Sequence, residues 1–172
     1  ATSALTGASG TQTVTVNMID KLNAHLSNGS GEELQHANAI CYSGYREGQV
    51  PGSAYPSYDE IKEDLLILAK NWKYLRLYEA SPHAETVLKV VADEGLDFMV
   101  MLGVDLGAEM SNPHCPWGAD FREETLEQNR KNNLAQVEKA IELSIRYPAI
   151  VFSVSVGNEA SVEWSDHMVP VD

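Results

Sequence analysis

The segment Gly157-Asn158-Glu159 combines the residue types needed for acid–base chemistry on a sugar. It follows residues 150–156, where large apolar side chains alternate with small polar ones, as in a strand of a sheet. A carboxylic acid at the end of such a strand can exchange a proton with a glycosidic oxygen, and an adjacent asparagine can hydrogen-bond a sugar hydroxyl. Glu159 is therefore a candidate general acid/base, and Asn158 a candidate substrate contact. The alternative is that Glu159 only caps a following helix.

Polar and aromatic side chains also follow the other apolar segments. The candidates for substrate binding are Tyr42, Arg76, Tyr78, Glu79, Asp105, Trp117 and Trp164. Glycoside hydrolysis needs two carboxyl groups, about 5–5.5 Å apart for retention and about 6.5–9.5 Å apart for inversion. Aromatic rings offer flat faces on which a sugar can rest. Each candidate also has a structural alternative: Arg76 can pair with Glu79, Asp105 can cap a loop, and the aromatic rings can be packing residues.

Alternating strands and helices must position these residues. We predict strands near 37–42, 74–78, 97–104 and 150–156. Helices should begin at Ser57 with a capping box to Glu60, at Ser81 followed by Pro82, and at Asp120 with Glu123. This alternation predicts parallel strands joined by right-handed crossovers. The predicted fold is α/β, of the (β/α)8 TIM-barrel type, with only the first four strands and three helices in residues 37–172.

Apolar periodicity predicts which helix faces are buried. The expected buried residues are Ile61, Leu65, Leu68 and Ala69 in the first helix, Val87, Leu88 and Val91 in the second, and Leu126, Leu134, Val137, Ile141 and Ile145 in the third. The large side chains of residues 150–156 should pack on helices, with the small ones facing the barrel interior. Cys41 is expected to be a buried free thiol, although a bridge to Cys115 stays possible.

Composition narrows the class of protein. A net charge of −13 argues against a nucleic-acid partner, and no apolar run is long enough for a membrane span. The histidine spacings favour no metal site, and no glycine-rich phosphate loop follows a strand, so we expect no cofactor. Residues 1–36 are interpreted as a linker-like or leader-like segment with a possible short helix over 16–26. Since no fourth helix is evident, we expect a barrel fragment, or a half that pairs with another chain; a self-contained open sheet is the alternative.

Several segments together carry a resemblance to a known family: ICYSGYREGQ (40–49), LRLYEASPHAE (75–85), DFMVMLGVDLGAEM (97–110), CPWG (115–118) and VFSVSVGNEASVEWSDHMVPV (151–171). In this order they resemble the bacterial branch of glycoside hydrolase family 17, the β-1,3-glucanase type. The resemblance implies a (β/α)8 barrel in which Glu159 matches the acid/base and Asn158 the asparagine before it. It also implies that Tyr42 and Tyr78 lie near the cleaved sugar. The family's nucleophile is a glutamate on the seventh strand, which this chain lacks.

The sequence thus favours the amino-terminal half of a retaining β-1,3-glucan hydrolase, inactive by itself. A polymeric substrate implies an extracellular or periplasmic location. The alternatives are a β-glucan transglycosylase, a non-catalytic half barrel that binds glucan or self-assembles, and a plain α/β domain. A complementary barrel half or a second copy is the expected protein partner.

Overall fold

A computed structural model describes residues 37–170. The elements in chain order are β1 (Ala39–Cys41), α1 (Tyr58–Leu68), β2 (Tyr74–Arg76), α2 (Pro82–Asp93), β3 (Met99–Val104), α3 (Glu123–Arg146) and β4 (Val151–Val156). The possible helix over 16–26 and the linker-like segment 1–36 lie outside the described residues. β1 and β2 are shorter than predicted, while β3 and β4 match the prediction closely.

The four strands form one parallel sheet in the order β1-β2-β3-β4. The register aligns Cys41 with Arg76 and Arg76 with Met101, and an irregularity follows Val100 before Gly103 pairs with Ser155. Each pair of neighbouring strands is joined through a helix, as the predicted alternation requires. The predicted α/β architecture is confirmed, and this arrangement is consistent with part of a barrel.

Local capping residues determine where the first two helices begin. Ser57 and Glu60 form the predicted capping box at α1, and Ser81 caps α2 with Pro82 at its first turn. Gly95, with a φ of 62°, follows the end of α2. The predicted Asp120–Glu123 cap of α3 is wrong, because Arg122 is the N-cap residue and makes no capping side-chain hydrogen bond.

The two faces of the sheet have different surroundings. The outer face packs on the helices and holds the core, including Leu75, Val100, Leu102 and Val151. The inner face carries Cys41, Tyr74, Arg76, Met101 and Phe152, which line a shallow cavity of about 230 Å³. On this face the Tyr74 and Phe152 rings pack edge to face, with their centroids 5.6 Å apart.

Burial is predicted wrongly on β4, in α3 and at Cys41. On β4 the outer-face residues Val154 and Val156 are 38% and 64% exposed, because no helix covers them within residues 157–170. In α3, Leu134 and Ile145 are exposed, while the buried positions are Leu126, Asn133, Ala140 and Leu143. Cys41 is exposed because it lies on the inner face, and Cys115 is buried; both thiols are free.

Ala69, the C-cap residue of α1, was predicted to be buried and is exposed, whereas Ile61 and Leu65 are fully buried, as predicted. Val87, Leu88 and Val91 of α2 are also buried as predicted. Within residues 37–170, none of the helices has the length and apolar character that a membrane crossing requires.

Candidate active site

Arg76, Tyr78 and Asn158 meet at the carboxyl edge of the sheet. Because all four strands are parallel, the residues that follow them lie at one edge. The Arg76 Nη2 donates to Asn158 Oδ1 at 2.9 Å, across the ends of β2 and β4. The Arg76 guanidinium carbon also lies 4.9 Å from the centroid of the Tyr78 ring, within cation–π range. One arginine therefore positions both an amide and an aromatic ring.

Glu159 directly follows this amide and has an unusual backbone. Its φ is 57°, and it is the one non-glycine residue at positive φ in the described part of the chain. The preceding turn begins at Gly157, with a φ of 75°, whose N–H donates to the carbonyl of Val104 at 2.9 Å. Glu159 is exposed to solvent and has no hydrogen-bond partner among residues 37–170. A non-glycine residue in this region costs about 1–3 kcal/mol, and such strain is concentrated at functional sites.

Gly103 allows the strand ends to approach one another. A Cβ at this position would lie 2.3 Å from the Tyr78 carbonyl carbon, so a larger residue would push β2 and β3 apart. The Tyr78 ring is exposed, and its interaction with the Cys41 thiol raises the pKa of its hydroxyl. Tyr78 thus lies beside Arg76 with part of its ring open to solvent.

Tyr42 and Glu79 belong to a second group, beside α1 and α2. Tyr42 is buried in the core, and its hydroxyl donates to Asp64 Oδ2 at 2.9 Å; burial and this bond raise its pKa. Glu79 Oε1 accepts from the Tyr45 hydroxyl at 2.8 Å. The alternative of an Arg76–Glu79 ion pair is wrong, because Arg76 contacts Asn158 instead.

His83 connects this second group to the loop after β1. Its ring lies 5.0 Å from the Tyr45 ring, centroid to centroid, and its Nε2 accepts from the Gly44 N–H at 3.2 Å. Burial lowers the pKa of His83, which favours the neutral ring that this acceptor role requires. This role of His83 was not predictable from the sequence, since a lone histidine near a helix start does not indicate a contact with a loop.

Trp117 and Trp164 form an exposed pair. Their ring centroids are 5.8 Å apart, and the side chains are 60% and 42% exposed. The Trp117 Nε1 donates to Asp166 Oδ2 at 3.1 Å. Asn112, which is buried, donates to the carbonyls of Glu163 and Ser165, both at 2.8 Å. These bonds tie the loop after β3 to the segment after β4, and no sequence motif indicated them.

Within residues 37–170 Asp105 makes no hydrogen bond to the Arg76 group, and it lines an amide cavity of about 510 Å³. This amide cavity is lined by Ala80, Asp105, Gly107, Asn129, Asn132 and Gln136, among others. The Asp105 carboxylate is exposed and has no hydrogen-bond partner among the described residues. It therefore caps no backbone group of the loop after β3.

Within residues 37–170, no group of three or more His, Cys, Asp or Glu side chains is arranged to hold a metal ion. The arrangement at the carboxyl edge can instead provide proton exchange at Glu159, amide recognition at Asn158 and aromatic surfaces at Tyr78 and the tryptophan pair.

The architecture is similar to that of a solved enzyme. The crystal structure of an endo-laminarinase from Formosa Hel1_33_131 matches this chain with a TM-score of 0.56 and 30% sequence identity. The match covers 75% of this chain and 32% of the endo-laminarinase, so the chain spans about a third of that protein's length. No protein-family profile matches the chain. No curated protein matches it.

Proposed function

We propose that this chain is the amino-terminal part of a retaining β-1,3-glucan hydrolase of the family 17 type, with Glu159 as the general acid/base. The observation that carries this proposal is the similarity of its sheet and helices to an endo-laminarinase, at 30% identity over 75% of the chain. The similarity supports a β-glucan hydrolase in general terms. The exposed, strained Glu159 after β4, next to Asn158, supports the assignment of the site.

In the proposed reaction, Glu159 first protonates the departing glycosidic oxygen. It then removes a proton from the water that releases the sugar from its covalent bond to the enzyme. Because Asn158 Oδ1 accepts from Arg76, its Nδ2 points its two N–H donors elsewhere and can donate to a sugar hydroxyl. Arg76 is therefore a positioning residue, since it acts through Asn158.

The nucleophile is proposed to lie on polypeptide that this chain does not contain. At the carboxyl edge, Glu79 is engaged with Tyr45, and Asp105 opens into the amide cavity beside α3. Neither carboxylate joins the Arg76–Asn158 group. The 172-residue chain is accordingly expected to bind glucan without turning it over.

The exposed aromatic residues are proposed to contact the substrate. Tyr78, held beside Arg76, offers a ring face to the sugar nearest the site. Trp117 and Trp164 offer a second aromatic surface on the loops after β3 and β4. This surface is suited to a glucosyl unit further along the glucan substrate. Tyr42 is buried, and its hydroxyl is bonded to Asp64, so we do not assign it a direct contact with the sugar. Its proposed role is to support the loop after β1 near the cleaved sugar. A polymeric glucan substrate favours an extracellular or periplasmic location.

The test uses a polypeptide that joins this chain to the remaining strands of the barrel. It should release reducing sugar from laminarin, and NMR of the first product should show the β anomer. Glu159→Gln should lower the rate on laminarin about 100-fold or more, because protonation of the leaving group is lost. Glu163→Gln, a matched change at an exposed glutamate in the same segment, should have little effect. An α anomer, or an unchanged rate in the Glu159 variant, would contradict the proposal.

Transglycosylation is the alternative that uses the same residues, with a sugar hydroxyl in place of water. A second alternative is a non-catalytic glucan-binding or self-assembling half barrel, favoured by the uncovered outer face of β4 at Val154 and Val156. In that case β1 and β4, the edge strands of the sheet within residues 37–170, would pair with a complementary half or a second copy. Sedimentation of the isolated chain distinguishes these cases: a stable dimer that binds laminarin without cleaving it favours the module.

A further inference from the structure

We propose that the amide cavity is a second, non-catalytic saccharide site that binds the hydroxyl groups of a terminal glucosyl unit. It lies between the loops after β2 and β3 and the side of α3, and neither Asn158 nor Glu159 lines it. Its volume of about 510 Å³ falls within the range of about 300–1,000 Å³ that small-molecule sites occupy.

Part of the amide lining has a structural role. Gln136 Oε1 accepts from the Ala80 N–H at 2.9 Å, and Asn129 Nδ2 donates to the Ala108 carbonyl at 2.8 Å. Asn133, which is buried, uses both ends of its amide on Gly107, at 2.8 and 2.9 Å. These contacts hold the two loops against α3 and fix which way each amide points, because backbone groups dictate their oxygen and nitrogen positions.

The remaining polar atoms of the lining are unsatisfied within the described residues. Gln136 Nε2 and Asn132 Nδ2 have no acceptor there, and Asn129 Oδ1 and the Asp105 carboxylate have no donor. Four residues whose side chains keep polar atoms without a protein partner in residues 37–170 therefore line one cavity: Asp105, Asn129, Asn132 and Gln136.

The chemistry of the lining selects the ligand class. No lysine or arginine lines the cavity, which disfavours an anion, and its single carboxylate is not joined by other carboxylates, which disfavours a metal ion. Vicinal hydroxyl groups donate and accept at once, so they match amide donors beside a carboxylate. The choice of a neutral, hydroxyl-rich ligand rests on the lining alone, whereas the choice of a β-1,3-linked glucosyl unit rests on the proposed function.

The test measures laminaritriose binding to the 172-residue chain by calorimetry, with two changes in the lining. Asn132→Ala should raise Kd about fivefold, and Asp105→Ala about tenfold or more, because a charged hydrogen bond is stronger than a neutral one. Both side chains are exposed and make no contact that folding depends on beyond the Gln128–Asn132 bond. Gln128→Ala is the matched control, since it removes that same bond without touching the lining, and its Kd should be unchanged.

NMR gives the location of the ligand. If laminaritriose shifts the side-chain amide signals of Gln136 in the parent chain and no longer shifts them in Asp105→Ala, the ligand lies in the cavity. Unchanged Kd values in both lining variants, or no binding of laminaritriose or cellotriose to the parent chain, would overturn the inference. Binding of cellotriose in preference to laminaritriose, with the same loss in both variants, would support the cavity but contradict the proposed β-1,3-glucan specificity. The rate test of Glu159→Gln in the whole barrel is a separate experiment, so failure of the catalytic assignment is distinguishable from failure of this inference.

Discussion

Replacing Glu159 by glycine should stabilise the fold while removing the proposed acid/base. The residue has a φ of 57°, where an L-residue costs roughly 1–2 kcal/mol that glycine avoids. Glycine loses about 0.4–1 kcal/mol through the greater freedom of the unfolded chain. With the middle of each range, the net gain of Glu159→Gly over Glu159→Ala is about 0.8 kcal/mol. Since each kcal/mol shifts Tm by about 2–4 °C in a domain of this size, the glycine variant should melt about 2–3 °C higher than the alanine variant.

The comparison is made by thermal unfolding followed by circular dichroism, with urea unfolding of the same variants. Both changes remove the carboxylate, so their difference isolates the backbone. Glu163, also exposed, has no positive φ, and there Glu163→Gly should be less stable than Glu163→Ala. A Glu159→Ala variant as stable as Glu159→Gly, with the expected order at Glu163, would refute the claim that strain is stored at the candidate acid/base.

Three further perturbations test the surrounding contacts. A double-mutant cycle of Arg76→Met and Asn158→Ala, measured by urea unfolding, should give a coupling of about 1 kcal/mol, and zero coupling would contradict the bond between them. Burial lowers the pKa of His83, so the unfolded chain binds its proton more readily, and stability should fall as pH drops below about 6.5. His83→Gln should reduce the fall in Tm between pH 7 and pH 5.5, and an unchanged fall would assign it to other groups. Gly103→Ala should cost about 3 kcal/mol, because its Cβ would meet the Tyr78 backbone; a Tm close to the parent's would argue against that close approach.

The elements that local chemistry specifies were predictable. Ser57 with Glu60, and Ser81 with Pro82, lie within one turn of each other, so the helix starts follow from residues that are adjacent in sequence. The alternation of strands and helices predicted the parallel sheet, and the sheet in turn predicted that the candidate residues lie at one edge.

Burial in α3 was only partly predictable from apolar periodicity, since Leu126 is buried as expected whereas Leu134 and Ile145 are exposed. The buried Asn133 forms hydrogen bonds with Gly107, and Leu134 beside it is exposed. A polar side chain that binds a loop rotates the buried face of a helix away from the apolar stripe. The exposure of Val154 and Val156 has a different cause, since a strand's pattern shows what it can bury but not whether a neighbour covers it.

Long-range contacts in the candidate site were also beyond the sequence. Arg76 and Asn158 were both candidates, yet the likelier partner by sequence distance was Glu79, and Glu79 instead bonds with Tyr45. Pairing across separate strand ends depends on where each loop folds. The φ of Glu159 was not predictable either, because glutamate has no preference for that region.

The most direct test of the central claim compares two substrates in a polypeptide that carries the whole barrel. Glu159→Gln should lower kcat/KM on laminarin by about 100-fold to 10,000-fold. On an aryl β-glucoside oligosaccharide with a dinitrophenyl leaving group, which needs no protonation to depart, glycosylation should stay close to the parent rate. An equal loss on both substrates, or no loss on laminarin, would contradict the assignment of Glu159 as the proton donor.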